Sequence, residues 1–123
     1  MIGIDYLADT NCFIYLLDEN PILLPFLESA WAFSYITEME ILSRKGLTLK
    51  EDALIRTLLA TCMKIGHQQE IAEMTIKLRR KYPIKLPDAI IAATAQFSQI
   101  PILTADKGFA QIKEIDCLII DTK

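Results

Sequence analysis

The stretch Leu86-Pro87-Asp88-Ala89-Ile90-Ile91-Ala92-Ala93-Thr94-Ala95 carries a single charge and is apolar or small on every side of a helical projection. A helix of that kind is normally buried. It therefore draws Asp88 toward the interior, where a lone carboxylate is costly unless something pairs with it. A helix cap, a basic side chain or a metal ion would each compensate. The rest of the chain bears on which of them does so.

Other segments alternate between strand and helix patterns. Ile2 to Ala8 reads as a buried strand, Cys12 to Leu17 as a short helix, and Pro21-Ile22-Leu23-Leu24-Pro25-Phe26-Leu27-Glu28-Ser29-Ala30 as a helical segment that Pro25 splits or kinks. Trp31 to Ile36 is β-prone, and Thr37 to Ser43 is helical. Thr48 with Glu51 forms a capping-box signature for a helix reaching about Thr61. Met63 to Gly66 reads as a short strand, and Gln68 to Lys81 as an amphipathic helix stopped by Pro83. The buried helix spans Pro87 to Phe97; Ile100 to Thr104 is a strand, Lys107 to Ile112 a short helix, and Cys117 to Ile120 a last strand. Short, continuous apolar strands alternating with helices predict a three-layer α/β/α sandwich around a mainly parallel sheet of four to five strands. A single domain over residues 1–123 is expected.

Hydrophobic residues make up 52% of the chain and aromatic ones 8%, so the core should be aliphatic. No run approaches the ~18 apolar residues of a membrane span. The N-terminal ten residues have no basic region, and Asp5 and Asp9 interrupt them, so a cytoplasmic protein is expected. Cys12, Cys62 and Cys117 are odd in number and far apart, which fits free thiols in a reducing compartment. The net charge of −3 argues against holding nucleic acid by bulk positive charge, but leaves room for a local acidic centre.

In parallel sheets of this kind, ligands gather at the carboxyl ends of the strands. Asp9 follows the first strand, Glu40 lies one helical turn past the second, Asp106 follows Ile100 to Thr104, and Asp88 opens the buried helix. Each also has a purely structural reading. Asp9 suits an N-cap, Thr37 and Glu40 fit a capping box, Asp88 favours a helix N-terminus through the macrodipole, and Asp106 suits a turn. Four acids converging on one edge would raise each other's pKa unless a cation intervened. With Thr10, Asn11 and Thr104 nearby, the donor set is all oxygen, which suits Mg²⁺ or Mn²⁺. Zinc is poorly served, since His67 is the sole histidine and no cysteine pair has ligand spacing. Acidic clusters holding Mg²⁺ act on phosphate esters, with one or two ions. A two-histidine nuclease is excluded, and no G-x-S-x-G, G-x-x-x-x-G-K-[ST] or G-x-G-x-x-G is present.

Four motifs in order resemble the PIN-domain family, most closely its small VapC-type ribonuclease toxins. They are D-T-N after the first strand, S-x-x-T-x-x-E-I-L, L-P-D-A-x-I-A-A-T-A, and I-L-T-x-D-K-x-F. The resemblance implies a parallel sheet flanked by helices, and an endoribonuclease that hydrolyses single-stranded RNA with Mg²⁺ or Mn²⁺. It carries the catalytic, metal-binding acids onto Asp9, Glu40, Asp88 and Asp106, with Glu40 preferred to Glu38, and supporting polar groups onto Asn11 and Thr104. It also implies a homodimer and a cognate antitoxin that blocks the site.

Lys77, Arg79, Arg80, Lys81 and Lys85 precede Asp88, and Arg44 and Lys45 follow Glu40. They read either as solvated helix ends or, for Arg44, Arg79, Arg80 and Lys85, as a rim for RNA phosphates. Trp31, Phe33 and Tyr35 are expected to pack rather than stack on bases, and His67 is given no chemistry. Two rival functions remain. One is a non-catalytic interaction module of the same fold; the other is a phosphotransfer receiver domain, which would want paired acids after the first strand.

Overall fold

The computed structural model describes residues 3–120. Five strands, β1 (Tyr6–Ala8), β2 (Trp31–Ser34), β3 (Met63–Ile65), β4 (Ile102–Thr104) and β5 (Cys117–Ile119), form one sheet in the order β3-β2-β1-β4-β5. Every pairing is parallel. The helices are α1 (Thr10–Leu17), α2 (Tyr35–Leu42), α3 (Leu49–Leu59), α4 (Gln69–Lys81) and α5 (Leu86–Ser98), with 3-10 turns over Pro21–Phe26 and Lys107–Gln111. The predicted α/β/α sandwich is therefore present, with a sheet wholly rather than mainly parallel. The strand order differs from the 2-1-3-4-5 order of receiver domains, which removes that rival.

Successive strand residues point to opposite faces, and this divides the core in two. Leu7, Ala32 and Ile102 join Ile71, Leu78 and Ile91 beneath α4 and α5. Ala8, Trp31, Phe33 and Leu103 join Phe13, Ile41 and Ile55 from α1, α2 and α3 on the other face. Phe13 meets the rings of Trp31 and Phe33 edge-on at 5.6 and 5.8 Å, so these aromatics are packing groups, as expected. Helix α5 is buried along Ala89, Ile91, Ala92, Ala93 and Ala95, and Pro87 stands in its first turn, where a missing N–H costs nothing. Burying Ile91 and Ile102 contributes about 1.5–3 kcal/mol each.

Several boundaries differ from the sequence reading. Strand β2 stops at Ser34 instead of Ile36, because the Ser34 hydroxyl accepts the Ile36 N–H at 3.2 Å and begins α2 there. Thr37 is thus inside the helix, and the Thr37–Glu40 capping box does not form. The segment from Pro21 is a 3-10 helix ending at Phe26, shortened by Pro25, which cannot donate to the ladder. The short helix after Asp106 is also 3-10. Strand β1 begins at Tyr6, and the Ile2 portion of the expected strand lies outside the described residues. The capping box of Thr48 and Glu51 is present in both directions, at 3.0 and 3.1 Å. Among the described residues all three cysteines are free, and no helix is long and apolar enough to cross a membrane.

Candidate functional site

Chain direction reverses across the sheet between β1 and β4: the chain steps from β1 to β2 and β3 on one side, then to β4 and β5 on the other. A crevice outside the carboxyl ends of the strands is expected at such a reversal. Asp9 follows β1 and Asp106 follows β4, so these two acids flank it.

Asp9 is buried, and each of its oxygens accepts one hydrogen bond. One oxygen, Oδ1, accepts the Cys12 N–H at 3.1 Å, making Asp9 the N-cap of α1. The other, Oδ2, accepts the hydroxyl of Thr104. That hydroxyl in turn accepts the Asp106 N–H at 3.0 Å. Thr104, fully buried, therefore joins the two acids through one oxygen. Asp106 is exposed and caps the following turn by accepting the Gly108 N–H at 2.8 Å. A Cβ at Gly108 would stand 3.0 Å from Asp106 Oδ1, so a larger residue there would press the carboxylate aside.

Glu40 arrives from α2, half-buried. Its Oε1 accepts the Thr10 hydroxyl at 2.8 Å. Glu38, by contrast, leaves the site and pairs with Lys64 at 3.1 Å. Asp88 occupies the third position of α5, half-buried, with no hydrogen-bond donor among the described residues. It shares with Asp106 a groove of about 290 Å³, lined also by Ile84, Lys85 and Phe109.

The electrostatics tie the four together. Asp88 is raised above the ordinary aspartate range, first by burial, then by the charges of Asp106, Glu40 and Asp9, with Lys85 opposing. Asp9 is raised chiefly by burial, with Asp106 adding to it, although its hydrogen bonds pull the other way. The structural readings of Asp9, Asp88 and Asp106 as cap, first-turn residue and turn residue are thus all realised, and the same positions still gather the charges at one end of the sheet. Among the described residues, however, no three His, Cys, Asp or Glu side chains stand close enough together to hold a metal ion. Charge accumulates at this end without the side chains closing to ligand distance. An all-oxygen donor set with raised carboxyl pKa values still matches a hard divalent cation, which would relieve the mutual repulsion.

The other predicted residues divide. Asn11, on the exposed side of α1, makes no side-chain hydrogen bond among the described residues. Arg79 donates to the Ile84 carbonyl at 3.3 Å, and Lys85 acts on Asp88, so both stand close to the groove. Arg80 is exposed. Arg44 lies apart, with Asp18 and Glu51 where the end of α1 meets α3. Gly108 was missed in the sequence; the Asp-x-Gly spacing of an Asx turn was the available signal.

Comparison with known proteins agrees with this architecture. The PIN domain family profile matches residues 6–121. A chain of a toxin–antitoxin complex from Klebsiella pneumoniae is 35% identical, with a TM-score of 0.80 over 90% of this chain and 95% of that one. A chain of VapBC2 from Rickettsia felis, solved bound to a DNA fragment from its promoter, is 18% identical with a TM-score of 0.80, covering 96% and 100%. A chain of DNA-bound VapBC from Salmonella typhimurium is 20% identical with a TM-score of 0.80, covering 94% and 98%. The last two share the fold. A search of curated proteins found no match. With residues 6–121 matched by the family's profile, the chain belongs to the PIN domain family.

Proposed function

We propose that the protein is a metal-dependent endoribonuclease that hydrolyses phosphodiester bonds of single-stranded RNA, and that it is the toxin of a toxin–antitoxin pair. The observation that carries this reading is the electrostatic meeting of Asp9, Glu40, Asp88 and Asp106, drawn from four distant parts of the chain. Asp9, Asp88 and Asp106 would hold Mg²⁺ or Mn²⁺, with Glu40 ligating directly or through water. Such a cation acidifies a coordinated water and offsets charge on the phosphoryl oxygens.

The chain's own groups do the rest. Glu40 orients the attacking water. Arg79 and Lys85, beside the groove, hold neighbouring phosphates and so set the register of the strand. Thr104 keeps Asp9 and Asp106 in fixed relation. The RNA preference, the homodimer, the antitoxin and a cytoplasmic setting rest on the family resemblance; the Klebsiella pneumoniae relative, itself a chain of a toxin–antitoxin complex, supports the antitoxin.

The test is cleavage of single-stranded RNA with and without Mn²⁺, comparing wild type with Asp88→Asn. Manganese-dependent cutting by wild type and none by the variant is expected; equal cutting by both overturns the assignment. The present spacing of the carboxylates favours a second reading, an interaction module without catalysis. Calorimetric titration separates the two, because only the nuclease requires Mn²⁺ binding that Asp88→Asn weakens.

A further inference from the structure

The described hydrogen bonds hold three of the four acids: the Cys12 N–H and the Thr104 hydroxyl hold Asp9, and the Gly108 N–H holds Asp106. The holder of Glu40 is not part of any cap or turn. Thr10, the first residue of α1, sends its side chain across to α2 and donates to Glu40 Oε1 at 2.8 Å. The same Thr10 oxygen lies 3.3 Å from the hydroxyl oxygen of Thr37, which is completely buried. A threonine has one proton and two lone pairs. With that proton committed to the carboxylate, Thr37 can supply the hydrogen between the two hydroxyls. Thr37 and Glu40 are three residues apart in α2 and so share one face, the face turned to Thr10.

We propose that Thr10 is the positioning residue of Glu40. This rests on the nuclease reading above. Glutamate has three rotatable side-chain bonds, and Glu40 receives no other donor among the described residues. Thr10 therefore fixes the rotamer by engaging Oε1 and leaves Oε2 available. Because Thr10 is bonded in sequence to Asp9, the tether also registers the start of α1 against α2 and so links the placement of the two acids. The Thr10 side chain is not placed to touch substrate in this scheme; it acts through Glu40 alone.

Three variants test it. Thr10→Val keeps the shape and removes the hydroxyl, Thr10→Ala removes both, and Thr10→Ser restores the hydroxyl without the methyl group. In Mn²⁺-dependent RNA cleavage, Thr10→Val and Thr10→Ala are expected to lose about 10- to 100-fold in kcat, the cost of a misplaced catalytic group, with KM for RNA little changed. Thr10→Ser is expected to recover most of the rate, and all three should keep the wild-type melting temperature within a few degrees. A Thr10→Val enzyme with full kcat, or a Thr10→Ser enzyme as impaired as Thr10→Ala, overturns the proposal and leaves the nuclease reading standing. Calorimetric Mn²⁺ affinity gives a readout without catalysis: weakening in Thr10→Val with recovery in Thr10→Ser supports the tether. If wild type neither cuts RNA nor binds Mn²⁺, both proposals fall together.

Discussion

Two helix N-termini meet at the candidate site, and they treat their aspartates in opposite ways. At α1, Asp9 caps the helix and both of its oxygens accept hydrogen bonds within the fold. At α5, Asp88 sits inside the first turn behind Lys85, which offers no capping side chain, and its carboxylate has no donor among the described residues. Both acids are raised by burial, yet hydrogen bonds offset part of the rise only at Asp9. The contrast separates an acid held by hydrogen bonds from one that is not. Asp9 is bound into the architecture, so its position is fixed before any ligand arrives. Asp88 is held by its helix, and burial first, then the neighbouring acids, make its charge unfavourable, a burden that a bound cation would relieve.

The sharpest way to break this contrast is to neutralise each acid in turn. Asp88→Asn and Asp9→Asn are both expected to lower RNA cleavage by roughly 100-fold or more, beyond the loss typical of altered groups around a metal's ligands. Their stabilities should differ. Asp88→Asn relieves repulsion and is expected to melt at or above the wild-type temperature, whereas Asp9→Asn disturbs a buried acceptor pair and should melt lower. Equal shifts in the two melting curves would erase the distinction.

Mn²⁺ itself sharpens it next. At a free concentration 100 times its Kd, a ligand that binds only the folded state stabilises it by about 2.7 kcal/mol. That rise should appear in thermal melts of wild type and shrink in Asp88→Asn. Thr104→Val probes the other side. It leaves Asp9 Oδ2 without its donor and the Asp106 N–H without its acceptor, at an expected cost of about 1–3 kcal/mol, measurable by urea unfolding.

The pH dependence follows from the two raised pKa values. Each carboxyl binds its proton more readily in the folded chain than in the unfolded one, so the folded state holds more protons above the ordinary aspartate value of 3.8. In the absence of metal, their contribution to stability is greatest below that value and is lost as pH rises through the folded pKa of each. Asp88→Asn should flatten this slope, and Mn²⁺ should reverse it by favouring the ionised forms. The smallest effect is expected from Gly108→Ala. Its Cβ would press on Asp106, and a shift in stability under about 1 kcal/mol should accompany a measurable loss of Mn²⁺ affinity.

Much of the layer order was legible because the strands and helices carry different periodicities. The apolar runs at β1 and β4 and an α5 with Asp88 as its one charge left little choice but a parallel sheet between helices. The misjudged boundaries share one cause, which is that side chains decided where elements began or ended. Ser34 converted the expected end of a strand into a helix start, so Thr37 and Glu40 moved from a cap to a helix face. Pro25 held the segment before β2 in a 3-10 form. Arg44, grouped with the other basic residues by its closeness in sequence to Glu40, lies instead beside Asp18 and Glu51.

By itself the sequence determined which acids stood at strand and helix ends, because hydrophobic patterning sets where each element stops and therefore where a charge can surface. It could not say how each acid was held. Hydrogen bonds such as those from Thr104 to Asp9 and from Thr10 to Glu40 join residues 95 and 30 positions apart. No local spacing encodes such partners; they exist only once the sheet order has set β4 beside β1 and packing has brought α1 against α2, and that is why the tertiary structure alone decided which carboxylates are tethered and which is left free.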